Sequence, residues 1–520
     1  MIATRFMRFI GIARACGRAT IDLLPEHGKG PLNALFRWFE SLIEPFPETP
    51  ATQPPSGLWR FIAYFSRPHW PIFAAIAVGA ASYALVELWL FSVLGRLIDA
   101  LGTHTPATLL AEEGTTLILA ACATVMLPVL ALLFNMTLHQ GLFGNFPAKL
   151  RWLFHRYLLE QSAAFYQDEF AGRIATKMMQ TAVAVRDAMA KLTDVFVYVG
   201  TYLIGILALV ISLDPLLAIP FTVWLVLYGL GVRWFLPRFK QVSERQSDAR
   251  SVLTGRVTDA YAHIHTVKLF AHAQREAAWA RRAMEDFREP VDAQMRLATL
   301  YEAVFTTLYA ALLLSTGALS LWLWHQGDVG AGAVAVCVAL VLRLEGMSHW
   351  IGWELNHLFE NLGTVHDGAK MLARPVQITD PVAPKPLQFQ RGDIHFDRIS
   401  FAYPGQAGVF KDFDLNIRGG EKIGLVGISG AGKSTLVNLL LRLFDLNSGQ
   451  ITLDGQAIHR LAQHELRAQI GVVTQDTALM HRSVYDNIVY GRPEATRDDV
   501  LRAARQARAL DFIEELQDSA

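Results

Sequence analysis

One stretch of the sequence has residue types and spacing suited to binding phosphate groups. It fits the pattern GxxxxGK[ST] and consists of Gly427-Ile428-Ser429-Gly430-Ala431-Gly432-Lys433-Ser434-Thr435. Glycines let the backbone curl so that successive N–H groups face phosphate oxygens, and the N-terminus of a following helix adds its positive dipole end. We therefore predict that this loop cradles the phosphates of a nucleotide.

Three side chains at the end of the loop have distinct predicted tasks. Lys433 supplies positive charge to the β and γ phosphates of ATP, and Ser434 offers a hydroxyl ligand to Mg²⁺. Thr435 is predicted to contact phosphate. The predicted cofactors are therefore ATP and Mg²⁺.

Regular structure on both sides of the loop is expected to hold it in place. The apolar run 423–426 predicts a strand before the loop, and residues 436–444 predict a helix after it. Residues 394–399 alternate in the way expected of an edge strand, and residues 451–453 predict a strand that ends in the Asp454-Gly455 turn. The C-terminal part of the chain is therefore predicted to be a mixed α/β domain.

The chain as a whole has the composition of a membrane protein. Its 520 residues are 52% hydrophobic, and the mean hydropathy is +0.27. The formal net charge of zero gives no general attraction to polyanions, which excludes nucleic acid as a main partner. Cys16, Cys122 and Cys337 have no CxxC spacing, so neither a disulfide framework nor a zinc site is predicted.

Six apolar runs are long enough to cross a bilayer, since about 20 helical residues span about 30 Å. They are residues 70–94, 115–138, 195–213, 216–236, 304–324 and 329–351. The long gaps after the second and fourth runs are rich in Lys and Arg, which places both in the cytoplasm. Gaps of that length predict helical hairpins, with tips around Phe165 and Thr266 that are suited to docking onto another domain.

Two interpretations are open for the N-terminus. Residues 1–20 carry Arg5, Arg8, Arg14 and Arg18 without an acidic residue, which is typical of an organellar transit peptide or of a basic helix on the inner membrane face. We favour the surface helix. Residues 58–62 are predicted to form a short interfacial helix leading into the first span.

Charges inside the apolar runs are candidates for a substrate path. Glu87 lies in the first run and Arg343 and Glu345 in the sixth, where charge is costly unless it faces water or a partner. In the alternative interpretation, Arg343 and Glu345 lie near the cytoplasmic end, where long side chains reach water. Trp350 and Trp353 likewise either line a cavity or anchor the helix at the interface.

The order of six spans, basic cytoplasmic hairpins and a P-loop domain resembles the ATP-binding cassette exporters of the multidrug and lipid-flippase type. The resemblance covers about residues 60–520. It implies that Tyr403 stacks on adenine and that Gln475 is the glutamine that contacts Mg²⁺ and senses the hairpins. The sequence departs from the family at Thr474, where proline is usual, and at Met480-His481, where a Leu-Phe pair is usual.

Other parts of the family pattern do not occur between Gln475 and Ala520. There is no LSGGQ-like signature and no apolar strand ending in Asp-Glu, and Glu514-Glu515 come too early to serve. The resemblance therefore implies a truncated chain with no catalytic residue of its own and with little hydrolytic activity. The resemblance implies that the intact protein is an ABC-type ATPase transporter.

The fold class implied is an α-helical membrane domain of six transmembrane helices with long cytoplasmic hairpins, plus an α/β P-loop NTPase domain incomplete at its C-terminus. Its boundaries are an entry segment at 1–69, a membrane domain at 70–372, a linker at 373–389 and a partial nucleotide-binding domain at 390–520. The resemblance implies a homodimer, with a heterodimer as the alternative, in the bacterial inner membrane with the nucleotide-binding domain in the cytoplasm.

The function implied is ATP-driven export or flipping of a hydrophobic or amphipathic substrate in contact with membrane lipid. Two alternatives come from other considerations. One is an ATP-binding channel or regulator built on the same fold without coupled pumping. The other is an organellar exporter, which rests on the basic N-terminus alone.

Overall fold

The chain forms two compact units, seen in a computed structural model that describes residues 31–516 except 51, 170, 404, 406 and 474–478. The first unit comprises Met1–Leu158 and Gly172–Arg374, and the second comprises Leu159–Ala171 and Pro375–Ala520. The surface helix predicted within residues 1–20 lies outside the described residues.

The first unit consists of helices. The first two among the described residues are short, α1 (Pro31–Glu40) and α2 (Leu58–Ser66), and α2 confirms the predicted entry helix. The elements that follow are α3 (Trp70–Thr103), α4 (Pro106–Met136), a π-helical segment (Thr137–Gly144), α5 (Asn145–Leu159), α6 (Ala163–Asp168, part of the second unit), α7 (Ala171–Thr193), α8 (Val195–Leu213), α9 (Ala218–Ala262), α10 (Ile264–Leu269), α11 (Ala273–Gln326) and α12 (Ala331–Leu372).

The predicted count of six spans is confirmed. Within the described residues, six helical stretches are long and apolar enough to cross a membrane: Leu58–Thr103, Ala111–Leu159, Ala171–Leu213, Pro215–Ala262, Ala273–Gln326 and Ala331–Leu372. Several extend well beyond the predicted apolar runs, because the basic segments between the runs are also helical. The two long gaps are therefore hairpins, with α6 and α10 at their tips.

The connections after the third and fifth spans are short. At Asp214 the side chain turns the chain by accepting a hydrogen bond from the Leu216 N–H at 2.7 Å. At the end of α11, Gly327 adopts φ +83°, a left-handed conformation that glycine tolerates and that commonly ends helices.

Helices α3 and α12 approach each other very closely at their outer ends. A Cβ on Gly332 would overlap the carbonyl oxygen of Gly95, and a Cβ on Gly95 would lie 2.7 Å from Cγ2 of Val336. The carboxylate of Asp99 accepts a hydrogen bond from the Gly332 N–H at 2.7 Å. Small residues therefore allow two backbones to touch at this crossing, as is common between membrane helices.

We expect Gly332→Ala to destabilise the protein by about 1–3 kcal/mol, because backbone must move to admit the methyl group. Gly346→Ala on the same helix is the matched control, since a Cβ there would meet nothing within 4 Å. It should change stability by less than about 1 kcal/mol. Thermal unfolding of both variants in the same detergent measures this, and equal melting temperatures would contradict the close crossing.

The second unit contains a four-stranded antiparallel sheet of order β2-β1-β3-β4. Its strands are β1 (Ile394–Ala402), β2 (Gly408–Ile417), β3 (Ser448–Leu453) and β4 (Gln456–Ala457). The helices of this unit, besides α6, are α13 (Lys433–Leu440), α14 (Gln463–Ala468), α15 (Val484–Ile488), α16 (Arg497–Gln506) and α17 (Leu510–Glu514).

The alternation in β1 was interpreted as an edge strand, and that prediction is wrong. The strand pairs with β2 on one side and β3 on the other. Its alternation has another cause: Phe396, Ile399 and Phe401 are buried against the core of the unit, while neighbouring side chains face away from it. A one-sided core produces this pattern in a central strand as well.

The predicted strand at 423–426 is not formed either. This segment has no strand partner among the residues described, and Val426 is 95% exposed. The apolar segment 470–473 is similarly unpaired, with Val473 99% exposed. Continuous apolar runs form parallel strands when neighbouring strands and helices cover both faces. Here that cover is missing from the described part of the chain, so apolar character alone does not produce a sheet.

The turn between β3 and β4 has the predicted Asp454-Gly455 form, with φ of +48° and +75°. The Asp454 carboxylate also accepts hydrogen bonds from the backbone N–H groups of Gln390, Arg391, Gly392 and Asp393. These donors, that of Gln390 above all, lower the pKa of Asp454. One side chain therefore fixes the segment before β1 to the turn between β3 and β4.

We expect Asp454→Asn to lower the melting temperature of the full-length protein at neutral pH, because an amide cannot accept all these bonds. Asp412→Asn is the control, since Asp412 has nearly the same φ, +49°. A carboxyl with a lowered pKa in the folded state stabilises above its unfolded pKa of about 3.9 and loses that effect as the pH falls further. The difference between wild type and Asp454→Asn should therefore be constant at pH 5–8 and shrink below about pH 4. A difference independent of pH would rule out the carboxylate.

Candidate nucleotide-binding site

The P-loop adopts a backbone conformation that its glycines permit. Gly430 has φ +84° and Gly432 has φ +87°, both in the left-handed region. Gly432 caps the start of α13 and is packed tightly: a Cβ there would lie 2.8 Å from Cγ1 of Val409 and 2.9 Å from the ring of Phe410. Position 432 therefore requires glycine, both for its left-handed conformation and because a side chain would not fit. The residues that leave no room for it belong to strand β2, which packs against the loop.

The start of α13 presents unpaired backbone donors. The first helical bond runs from the Leu436 N–H to the carbonyl of Gly432 at 2.9 Å. The N–H groups of Lys433, Ser434 and Thr435 precede that bond and have no helical acceptor. Such groups, together with the helix dipole, attract anions. The loop and helix thus have the donor set that a nucleotide phosphate requires.

The side chains of the loop differ in their contacts and in their exposure. The Lys433 Nζ donates hydrogen bonds to the carbonyls of Gly427 and Ile428, each at 2.8 Å, so its ammonium lies beside the curled loop. Ser434 is exposed, whereas Thr435 is buried. An exposed hydroxyl is free to bind a metal ion, so the residues present fit Mg²⁺–ATP.

Tyr403 lies beside this loop. Its hydroxyl is 3.2 Å from Oγ1 of Thr435, and its ring meets Phe401 and Phe444 edge-on at centroid distances of 4.9 and 5.1 Å. Phe401 is buried. The contacts position the Tyr403 ring next to the P-loop; stacking on adenine stays a prediction. Gln475 lies outside the described residues.

A second polar site lies within the membrane-crossing helices. Arg343 on α12 pairs with Glu87 on α3, with its Nε 2.8 Å from Oε1 and its Nη2 3.1 Å from Oε2. The Tyr198 hydroxyl on α8 accepts from Arg343 Nη2 at 2.9 Å and donates to Glu87 Oε2 at 3.0 Å. We call these three residues the membrane cluster.

The members of the membrane cluster lie far from the outer ends of their helices, and Tyr198 lies near the opposite end of α8. Glu87, Tyr198 and Arg343 are about 24, 22 and 18 Å along the axes from the outer ends of their helices. Arg343 is paired with Glu87. A place for these charges on the substrate path stays a prediction. Glu345 takes no part in the cluster as far as the described residues show.

Sequence reasoning missed Tyr198. Nothing in its neighbourhood marks it, because it follows Val195-Phe196-Val197 in an apolar run where tyrosine is unremarkable. A helical pattern does connect Tyr198 with Tyr202, four residues on and fully buried, whose ring centroid lies 5.8 Å from the Arg343 guanidinium carbon. Two tyrosines one turn apart in a predicted span were the available signal.

Comparison with known proteins now defines the class. The transmembrane region of ABC transporters matches residues 72–344, and the ABC transporter family, in its ATP-binding part, matches residues 410–520. The chain belongs to the ABC transporter family, a class of ATP-driven transporters. It is a multi-pass integral membrane protein that joins both domain types in one chain, as do relatives from bacteria.

One relative is an uncharacterised ABC transporter ATP-binding protein of Haemophilus influenzae, 47% identical over 490 residues, which are 94% of this chain and 79% of the relative. Another, from Staphylococcus aureus, carries a provisional multidrug export ATP-binding/permease name and is 28% identical over 369 residues. That match covers 70% of this chain and 63% of the relative.

A solved structure of similar fold is that of a bacterial Atm1-family ABC exporter with ATP bound. Its TM-score is 0.72 at 21% identity, over 87% of this chain and 79% of that one. At this identity the likeness concerns the fold: six membrane helices joined to a nucleotide-binding domain. The predicted fold class is therefore confirmed.

If Tyr403 stacks on adenine, Tyr403→Ala should weaken ATP binding about tenfold or more, since base–aromatic stacking contributes about 1–3 kcal/mol. Tyr403→Phe is the matched control, because it keeps the ring and removes only the bond to Thr435. Titration with ATP and with inorganic triphosphate separates the two contributions. If Tyr403→Ala weakens the binding of ATP and of inorganic triphosphate equally, the tyrosine supports the P-loop and does not stack on adenine.

Proposed function

We propose that this protein exports or flips a hydrophobic or amphipathic substrate, such as a drug or a lipid, across the membrane by alternating access. ATP drives the process. The observation that carries the proposal is that the unit with the P-loop also contains the tip of a hairpin whose two arms continue into membrane-crossing helices.

The contacts of that tip are specific. Phe165 on α6 is buried, and Ala164 packs against the hydrophobic core of the second unit. Just before α6, the Ser162 hydroxyl donates a hydrogen bond to Oε1 of Gln377 at 3.4 Å. Since α5 and α7 continue from this tip, a displacement of the P-loop unit is passed directly to two helices of the membrane domain.

The predicted site residues have these proposed roles. Residues 427–432 bind the phosphates through backbone N–H groups, Lys433 binds the β and γ phosphates, and Thr435 contacts phosphate. Ser434 and Gln475 hold Mg²⁺, and Tyr403 orients the adenine. Mg²⁺–ATP, when bound, supplies the phosphoryl group whose transfer to water drives transport.

We infer that two copies act together as a homodimer, with another half-transporter as the alternative partner. The second hairpin tip supports this. On and next to α10, Leu269 is 79% exposed and Phe270 is 62% exposed. Such a tip is suited to docking on the nucleotide-binding domain of a second copy. The tip at α6, in contrast, belongs to the nucleotide-binding unit of its own chain.

The test is vanadate-sensitive ATPase activity of the full-length protein in lipid vesicles, across a panel of lipids and amphipathic drugs. We expect Lys433→Ala to reduce activity at least 100-fold, on the order of the loss of a charge-assisted contact made in the transition state. Lys422→Ala is the matched control, because Lys422 is an exposed lysine just upstream of the loop. It should retain wild-type activity.

Stimulation of that activity by one class of compound, with ATP-dependent movement of the compound into the vesicles, would support export. ATP binding without turnover in the wild-type protein would contradict the proposal and favour a regulator or channel. Equal activity of Lys433→Ala and Lys422→Ala would show that the P-loop assignment is wrong.

A further inference from the structure

The membrane cluster has its positive member turned outward. The Arg343 side chain is 38% exposed and that of Glu87 is 20% exposed. Glu87 Oε1 lies 2.8 Å from Arg343 Nε, and Glu87 Oε2 accepts hydrogen bonds from Arg343 Nη2 and from the Tyr198 hydroxyl. The cation is thus the more exposed member of the pair. An approaching group therefore meets N–H donors and positive charge.

The open side of the cluster cannot face hydrocarbon. A charged side chain in contact with lipid tails at this depth is strongly unfavourable, so its exposed part belongs to a polar path or to a ligand. Aromatic rings lie around it: Trp350, which is 38% exposed, and Tyr83 have centroids 6.3 and 6.4 Å from that of Tyr198. The surroundings combine a single outward cation with apolar, aromatic surface.

We propose that the open side of the membrane cluster binds the anionic group, a phosphate, sulfate or carboxylate, of an amphipathic transport substrate. Arg343 makes the direct contact, since guanidinium groups pair with such anions through parallel N–H bonds. Glu87 is the counter-charge that an incoming anion competes with, and Tyr198 holds both in position. The inference rests on the proposed export function and adds the charge class of the substrate.

Glu87 and Arg343 should therefore have opposite effects on anion binding. Removing the guanidinium removes the contact, whereas neutralising the carboxylate frees the guanidinium for the ligand. A pair with a purely structural role would behave otherwise, because loss of either member breaks the same ion pair and should have the same effect. The sign of the Glu87 effect is thus the decisive quantity.

The experiment measures binding of three fluorescent lipids without nucleotide, to full-length protein in phosphatidylcholine nanodiscs. The lipids share acyl chains and an NBD label and differ in head group: phosphatidylglycerol, phosphatidylcholine and a trimethylammonium lipid. We expect the wild-type protein to prefer the anionic lipid about tenfold, as a charge-assisted contact allows. Arg343→Gln should abolish the preference and Glu87→Gln should increase it.

Arg96→Gln is the matched control. Arg96 lies on the same helix as Glu87, about 14 Å further along the axis, and its loss should leave the preference unchanged. No preference in the wild type, a preference retained in Arg343→Gln, or weaker anion binding in Glu87→Gln would each overturn the proposal. If Arg343→Gln does not fold, the sign of the Glu87→Gln effect still decides.

Inorganic phosphate is a further arm of the experiment. If excess phosphate fails to displace the anionic lipid, the ligand is amphipathic, as proposed. Full displacement would show that the site binds an anion without an apolar part, and would overturn the proposal of an amphipathic substrate. Because no step uses nucleotide, a head-group preference that follows Arg343 stands even if the vesicle ATPase test fails. Loss of the preference with intact ATPase activity would overturn only the charge class.

Discussion

The backbone of a membrane helix has no water to bond with inside the bilayer, and the architecture of the first unit follows from this constraint. Backbone N–H and C=O groups must be satisfied by the protein itself, so the crossings are helical. Helices α9 and α11, with 45 and 54 residues, are about 68 and 81 Å long, against about 30 Å of hydrocarbon. What extends beyond the bilayer forms the hairpins, and one hairpin tip is part of the P-loop unit.

The two polar sites meet this demand for hydrogen-bond partners in opposite ways. In the membrane cluster, Arg343 is paired with Glu87 and Tyr198 bonds to both, because an isolated charge at that depth would be very costly. At the start of α13, the backbone donors of Lys433, Ser434 and Thr435 have no helical acceptor and are available to an anion. The membrane cluster thus contains its own counter-charge, whereas the start of α13 receives its counter-charge from the bound phosphate.

Prediction from sequence succeeded where a local pattern has one physical cause. Apolar runs long enough to cross a bilayer predicted the six spans, and the long basic gaps predicted the helical hairpins. The Asp454-Gly455 pair and the glycines of the P-loop predicted where the backbone turns. It failed where the outcome depends on neighbours distant in sequence. Strand β1 was taken for an edge strand because alternation reports a one-sided core and not pairing.

The same limit explains the remaining differences. Residues 423–426 have strand-like apolarity, but whether they pair depends on other segments of the chain. Glu87 and Arg343 were each conspicuous as charges, yet 256 positions separate them, and no local pattern predicts that they meet. Tyr198 completes the cluster through geometry alone. Contacts between helices thus carry information that the pattern of each helix lacks.

The tight crossing of α3 and α12 lies near one end of α12, so α12 would rotate about that end. Gly332 fixes the outer end of a helix that is 42 residues, or about 63 Å, long. A rotation of about 10° about that crossing would carry the far end through about 10 Å but Arg343, about 16 Å from the pivot, through only about 3 Å. That shorter distance is nevertheless enough to separate Arg343 from Glu87. In such a rotation, a large movement of the far end of α12 would accompany a movement of about one hydrogen-bond length where the charges meet.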